Sequence, residues 1–402
     1  MRLCLFAFIG SDNLGDEAIF EVVYGALQSL RPERLTILSL NPERTLRIAT
    51  APNVRVMNTS SPRDTARAIG SSDALVVGGG GMFHDHSSIY NPLWYLSRVQ
   101  LAHLLRTPVF IYASSAGPFH NRINGIMTGR ILGQARRITV RDNPSRQTLL
   151  SLGVAPDKVR LTADPVLNYP TSTLSAPRTG PWRNIVVCLR HWFDIVNWLP
   201  VRIVNALHIR SEENVCGYER FVSEMARVLD YLLEEPGASI TFVPFWGSRD
   251  TKVHDDVARR MKEPARCNVL RETPPAVETN AILAKADLVL PMRLHSLIFT
   301  IANARPFFAI DYSRKVGDCI EEVLPGKSTQ LAVSPEKLDA TAVIESLRKL
   351  KADSPFGAEY VASVARIKER ERETLAGLRG MLRELGLMSS EERGVPEASY
   401  QP

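Results

Sequence analysis

Short, continuous apolar runs alternate along the chain with segments whose apolar positions recur at helical spacing. Leu3 to Ile9 is the first such run, and in the stretch after it, Glu17 to Leu30, the residues Ile19, Val22, Val23, Ala26, Leu27 and Leu30 share one face. That spacing marks a core-facing helix. The same alternation predicts strands at Leu35 to Leu40, Ala74 to Val77, Val109 to Ala113 and Ile138 to Val140, with helices at Pro92 to Leu105 and Ser145 to Leu152. A strand buried on both faces shows no polar alternation, so this pattern predicts a parallel sheet covered on both sides.

The pattern pauses at Tyr169 to Asn184, a stretch rich in Pro, Thr, Ser and Gly that reads as a linker. It restarts with strands at Ile185 to Leu189, Ile240 to Pro244, Leu288 to Leu290 and Phe307 to Ile310, and helices at Tyr218 to Leu233, Thr251 to Met261 and Ala276 to Ala284. A long charged helix, Ala358 to Leu385, follows the break at Asp353-Ser354-Pro355. The expectation is an α/β protein of two Rossmann-like domains facing a cleft, as in the glycosyltransferase-B architecture. The C-terminal helix should pack back on the first domain. The domains are placed at residues 1–170 and 184–345, the terminal helix at 355–388, and a disordered tail at 389–402.

Composition narrows the class without naming a function. Of 402 residues, 45% are hydrophobic and 23% charged, an ordinary soluble balance with ample length for a large core. The net charge of +6 is spread along the chain, so it does not argue for nucleic acid; an anionic substrate or an acidic membrane surface fits equally well. Five scattered cysteines with no Cys-x-x-Cys pair argue against a disulfide framework or a cysteine metal site. The apolar start, Met1 to Ile9, runs straight into Gly10-Ser11-Asp12-Asn13 with no signal-peptide cleavage site, which predicts a cytoplasmic protein.

Four loops fall where the strand carboxyl ends of such sheets gather, the usual ligand position. In the first, Gly10 to Glu17, the acidic Asp16 and Glu17 would repel an anion at the helix start. Two readings stay open there: Asp16 as the helix N-cap, or Asn13 and Asp16 as contacts to sugar hydroxyls. The second is Gly78-Gly79-Gly80-Gly81 followed by Met82 to His86. Four consecutive glycines are entropically costly and imply close approach to bare backbone. A metal set from His84, Asp85 and His86 is disfavoured, because adjacent loop residues rarely supply a full set of ligands.

In the third loop Arg141 closes a buried strand. The fourth combines Arg293 and His295, in Leu288-Val289-Leu290-Pro291-Met292-Arg293-Leu294-His295, with Lys315 past the next strand. A cation at a helix N-terminus is disfavoured by about 0.3–1 kcal/mol. An anionic ligand reverses that sign, since helix start and cations then attract the same group. Arg141, Arg293, His295 and Lys315 together therefore predict an anion site.

These segments resemble the polysaccharide pyruvyl transferase family. The resemblance rests on Asn13-Leu14-Gly15-Asp16-Glu17-Ala18-Ile19, the Gly78 to Gly81 run with Asp85, Val140-Arg141-Asp142 and Thr162-Ala163-Asp164-Pro165. It continues through Arg293-Leu294-His295-Ser296-Leu297 and Tyr312-Ser313-Arg314-Lys315-Val316. It implies transfer of pyruvate from phosphoenolpyruvate to two hydroxyls of a saccharide as a cyclic ketal, in exopolysaccharide or cell-wall biosynthesis, with no metal or other cofactor. It places Arg141, Arg293, Leu294 and Lys315 around phosphoenolpyruvate and makes His295 the catalytic candidate. Asn13, Asp16, Gly79, Gly80, Asp85 and Asp164 become candidates on the acceptor side. His84, where an amide or apolar residue is expected, and the segment Trp192 to Cys216 depart from the pattern, and both bear on the acceptor.

The chemistry suits this residue set. A carboxylate plus a nearly doubly ionised phosphate needs about three positive groups to offset desolvation. The enol ether must gain a proton at its methylene carbon, a step that suits a donor with pKa near 7 such as His295. The base for the attacking hydroxyl is open between Asp16 and Asp164. A nucleotide-sugar-dependent glycosyltransferase of the same fold is the alternative, although no carboxylate pair stands ready to grip a ribose; a non-enzymatic binding protein is the third reading. A lipid-linked acceptor would bring the protein to the inner membrane face as a peripheral contact. Asn197 to Ile209, apolar with Trp198 near its start, reads either as a helix docked on the second domain or as an interfacial helix. Nothing in the sequence speaks to oligomeric state.

Overall fold

A computed structural model describes residues 1–85, 88–170, 174, 177, 180–192 and 212–389. His86, much of the Tyr169 to Asn184 linker, residues 193–211 with the whole of Asn197 to Ile209, and the tail from 390 lie outside the described residues.

The first half contains β1 (Arg2–Phe6), α1 (Leu14–Gln28), β2 (Arg34–Ser39), α2 (Pro42–Leu46), β3 (Val54–Asn58), α3 (Pro62–Gly70) and β4 (Ala74–Phe83). It continues through α4 (Asn91–Leu104), β5 (Val109–Ala116), α5 (Arg122–Leu132), β6 (Arg137–Val140), α6 (Asn143–Ser151) and β7 (Val159–Leu161). Its seven strands run parallel in the order β3-β2-β1-β4-β5-β6-β7. Leu3, Cys4, Leu5 and Phe6 of β1 and Leu75, Val76 and Val77 of β4 are wholly buried, as continuous apolar strands between two helical layers must be. Strand order reverses between β1 and β4, and the crevice at their carboxyl ends opens there.

The second half contains β8 (Asn184–Cys188), α7 (Glu212–Leu233), β9 (Ser239–Phe242), α8 (Gly247–Ala258), β10 (Cys267–Val269), α9 (Ala276–Ala284), β11 (Leu288–Pro291) and α10 (Leu294–Ala302). Then follow β12 (Ala309–Ile310), α11 (Arg314–Val323), α12 (Ser328–Leu331), β13 (Ala332–Val333), α13 (Ala340–Ala352) and α14 (Ala358–Glu384). Its sheet is parallel in the order β10-β9-β8-β11. The segment read as a strand at Phe307 to Ile310 touches that sheet only through a bridge from Phe307 to Val289, and its last two residues pair instead with β13.

Two Rossmann-like units thus face one another, and α14 packs back on the first. Gly377 approaches the Phe110 ring, Arg160 Nε donates to Glu373 at 2.8 Å, and Asn168 Nδ2 donates to the Lys368 carbonyl at 3.0 Å. At its other end the Tyr360 hydroxyl donates to the Arg305 carbonyl of the second unit. No helix among the described residues is long and apolar enough to cross a membrane.

One departure from the sequence reading matters for the site. Strand β4 does not end at Val77; it runs on through all four glycines to Phe83. Gly78, Gly79 and Gly80 take φ of +152°, +82° and +98°. A Cβ at Gly78 would lie 2.1 Å from the Tyr112 carbonyl oxygen, and one at Gly79 would lie 2.0 Å from Ile19 Cγ2. Helix α1 therefore rests directly on bare strand backbone, which only glycine allows.

Candidate active site

Helix α1 starts at the crevice. Asn13, not Asp16, is its N-cap: the Asn13 Oδ1 accepts from Gly15 N at 3.2 Å, because the helix begins three residues earlier than an Asp16 cap requires. Asp16 instead sits inside the first turn, its Oδ2 accepting from Asn13 Nδ2 at 2.7 Å. Burial, with the neighbouring Glu17 carboxylate, raises its pKa to about 7. Asn13 and Asp16 are thus bonded to each other at the edge of the site.

The two halves meet at the next residues. Leu14 N donates to the Phe245 carbonyl at 3.0 Å, a backbone bond across the cleft. A Cβ at Gly15 would fall 2.1 Å from His295 Nδ1, so the histidine ring of the second half lies flush against bare backbone of the first. His295 Nε2 stands 3.9 Å from Asp164 Oδ2 and has no hydrogen-bond partner among the described residues. Burial, opposed by Asp164 and reinforced by Arg141, Lys315 and Arg293, lowers its pKa to about 4. At neutral pH the imidazole is uncharged.

Arg141, just past β6, is buried. Its Nε donates to Ser115 Oγ at 2.6 Å and its Nη1 to Asp164 Oδ2 at 2.5 Å. The other Asp164 oxygen caps the turn Pro165–Asn168 by accepting from Val166 N at 3.0 Å. Asp164 therefore links Arg141 to the histidine. Lys315, in the first turn of α11, makes no hydrogen bond or ion pair among the described residues. Burial and the nearby Arg141, partly offset by Asp142, lower its pKa to about 8. A Cβ at Gly81 would lie 3.3 Å from Lys315 Nζ, 3.6 Å from Arg141 Nη2 and 3.7 Å from His84 Cδ2. Gly81, rather than Gly79 or Gly80, is the glycine that fronts the cations; those two face Ile19 and, at Gly80, also Asp16.

Arg293 is the N-cap of α10, and the structure corrects the expectation that only a ligand could relieve its charge. Its guanidinium makes a two-pronged bond to Asp250, with Nε to Oδ2 at 2.9 Å. Asp250 is fully buried and also accepts from Phe245 N and Trp246 N. Arg293 lies 5.4 Å from the centre of the Trp246 ring. Two of the four basic groups are thus neutralised within the chain, Arg141 by Asp164 and Arg293 by Asp250, and His295 is uncharged. Leu294, half-buried, opens α10 between Arg293 and His295.

Asp85 is held elsewhere. It accepts from His120 N at 2.7 Å, Asn121 N at 2.9 Å and Asn124 Nδ2 at 3.2 Å, fastening the start of α5 to the end of β4. Among the described residues no three His, Cys, Asp or Glu side chains converge as a metal site. Sequence reasoning missed Asp250 and also Arg190. Arg190 follows β8, places its guanidinium 4.5 Å from the Tyr312 ring centre and 5.6 Å from that of Trp192, and leaves a buried Nε without a partner. Its position just past a strand end is the same signal that singled out Arg141.

The polysaccharide pyruvyl transferase family profile matches residues 13–314, which include every site residue just described except Lys315, one position past its end. The amylovoran biosynthesis protein AmsJ of Erwinia amylovora is 23% identical over 251 residues, 60% of this chain and 57% of AmsJ. The match therefore spans a little over half the length of that relative. Among solved structures, a Listeria monocytogenes protein assigned as a UDP-N-acetylglucosamine 2-epimerase superposes with a TM-score of 0.62 at 11% identity, covering 98% of this chain and 99% of the other. MnaA of S. aureus with UDP gives 0.60 at 11%, covering 96% and 97%, and HepE of Anabaena with UDP gives 0.57 at 12%, covering 96% and 100%. At these identities the likeness is one of fold.

Proposed function

Because the chain belongs to the polysaccharide pyruvyl transferase family, we propose that it moves pyruvate from phosphoenolpyruvate onto two hydroxyls of a saccharide, closing a cyclic ketal during synthesis of a cell-surface or exopolysaccharide. The observation that carries this reading is the convergence of Lys315 and Arg141 on the Gly81 backbone, with His295 on the far side of Asp164. Lys315 supplies the unneutralised charge, and Arg141 keeps Nη2 directed at the same space, so the phosphate and carboxylate bind there. Arg293 holds its helix start in place from behind and contributes field rather than a direct prong.

His295 delivers the proton to the methylene carbon, and the adjoining carbon takes on oxocarbenium character. A saccharide hydroxyl attacks that carbon and gives up its proton to Asp16, whose pKa of about 7 suits a base working near neutrality. Inorganic phosphate then departs with the electron pair of its C–O bond. The second hydroxyl closes the ring and releases its proton. Asp164, held by Arg141 and the Val166 amide, orients the imidazole. No metal or further cofactor is needed for these steps, and the reaction belongs in the cytoplasm.

The test is to incubate the protein with phosphoenolpyruvate and a panel of free and lipid-linked glycans, following phosphate release and product mass. A glycan that gains pyruvate less one water supports the reading. Phosphoenolpyruvate left intact with every acceptor, or a sugar gained from a nucleotide sugar instead, overturns it.

A pH dependence follows from Lys315. Its ammonium is charged below pH of about 8 and neutral above, so kcat/KM for phosphoenolpyruvate should fall as pH rises through 8. Lys315→Arg, which stays charged, should flatten that limb. An alkaline limb unchanged in Lys315→Arg assigns it to some other group.

A further inference from the structure

Between Asp85 and Asp142 the chain carries no aspartate, glutamate or lysine and seven arginines. This stretch builds α4 and α5. The two helices lie side by side in the same direction: Asn124 Nδ2 donates to the Ile89 carbonyl at 2.9 Å near their starts, and His103 Nε2 meets the Ile131 carbonyl at 3.0 Å near their ends. The inner face of α5 is fixed by the buried Asn124, Thr128, Ile131 and Leu132.

Its outer face should therefore be polar, and it is not. Ile123 is 65% exposed, and Ile126 and Met127 stand out beside it, with Ile89 and Tyr90 flanking one end and Leu104 the other. The only charged groups on that face of α5 are Arg122 at its start and Arg130 at its end; with Arg106 after α4, they form no ion pair among the described residues. A large apolar strip on a helix surface marks an interaction site. One edged by unpaired arginines, with no carboxylate on either helix, is complementary to an apolar layer under an anionic shell. That is the interfacial zone of an anionic bilayer, where the apolar side chains sink and the guanidiniums reach the headgroups.

We infer that the outer face of α4 and α5 docks the protein on an anionic lipid surface, with Ile123, Ile126 and Met127 inserted and Arg122 and Arg130 at the headgroups. The face adjoins the cleft, because Asp85 ties the start of α5 to the end of β4, where Gly81 fronts the cations. An acceptor carried in the same bilayer would meet the site without leaving it.

The experiment is flotation of the full chain with phosphatidylcholine vesicles, with and without phosphatidylglycerol. The protein should rise with phosphatidylglycerol vesicles only, and high salt should weaken the association. The pair Ile123→Glu with Ile126→Glu should abolish it, with an unchanged melting temperature because both residues are exposed. The pair Arg122→Gln with Arg130→Gln should weaken partitioning roughly 25-fold, about fivefold for each arginine. No flotation of the native chain overturns the inference, and so does equal flotation of both variants. A dimer seen by analytical ultracentrifugation that Ile123→Glu splits would assign the face to a second copy of the chain. Turnover of a soluble acceptor should be unchanged in all these variants. A chain that floats but consumes no phosphoenolpyruvate defeats the proposed reaction and leaves the docking face standing.

Discussion

His295→Ala should still bind phosphoenolpyruvate while its turnover drops by roughly 10²–10⁴-fold, the range for loss of a positioned acid. The expectation rests on where the ring sits rather than on its resting charge. Wedged against Gly15 and 3.9 Å from Asp164, with a pKa of about 4, the imidazole by itself carries no extra proton to donate at pH 7. A bound phosphoenolpyruvate brings a carboxylate and a phosphate beside it, and negative charge favours the protonated ring. The sign is therefore fixed: binding near neutral pH should take up protons, and uptake should vanish below pH of about 4, where the ring is already charged. Calorimetric titration in two buffers of different ionisation enthalpy reads this directly. His295→Ala should bind with the uptake lost. Near-normal turnover of that variant at saturating phosphoenolpyruvate, or uptake identical to native, removes histidine from the proton-donor role.

Asp250→Ala should destabilise the fold by about 3–5 kcal/mol, the usual cost of stripping one partner from a buried ion pair. Asp250 is entirely out of solvent, and Arg293 nearly so. Removing the carboxylate strands the guanidinium at a helix start that already disfavours cations, and leaves the Phe245 and Trp246 amides without their acceptor. Urea denaturation should show the loss. The double variant Asp250→Ala with Arg293→Met should recover much of it, because the cost lies in an uncompensated charge. A midpoint unchanged in Asp250→Ala would mean that the pair is not formed in solution.

The sheet strands and the long helices were legible because their burial is written locally, in apolar runs and helical stripes. Where the signal is carried by something other than apolar side chains, the reading stopped short. Strand β4 could not be followed past Val77 because glycine contributes nothing to a hydrophobic pattern, although the four-glycine run did announce a close approach. Helix α5 was passed over because Ile123, Ile126 and Met127 face outward, so its apolar residues do not describe a core stripe.

The basic groups of the site could be picked out by their place after strand ends, but their partners could not. Asp250 lies 43 residues from Arg293 and Asp164 lies 23 from Arg141, so these pairings exist only once the sheets have formed. Of the two helix-start cations, Lys315 is therefore left without a partner among the described residues, whereas Arg293 already has one in Asp250. Arg190 obeys the same positional rule as Arg141, and an even application of that rule along every strand would have found it.

The backbone bond from Leu14 to Phe245 bears on how such a reaction is kept from running idle. An oxocarbenium-like carbon is open to any nucleophile, and water at bulk concentration would convert it to free pyruvate and phosphate. With the halves clasped at Leu14, His295 is only 15% exposed and Arg141 and Asp164 each 6%, so on the proposed reaction water would have little access to that carbon. On the proposed reaction, a donor seated beside His295 is shielded from water by the same contact that joins the halves. In the absence of an acceptor, phosphoenolpyruvate should be held rather than hydrolysed.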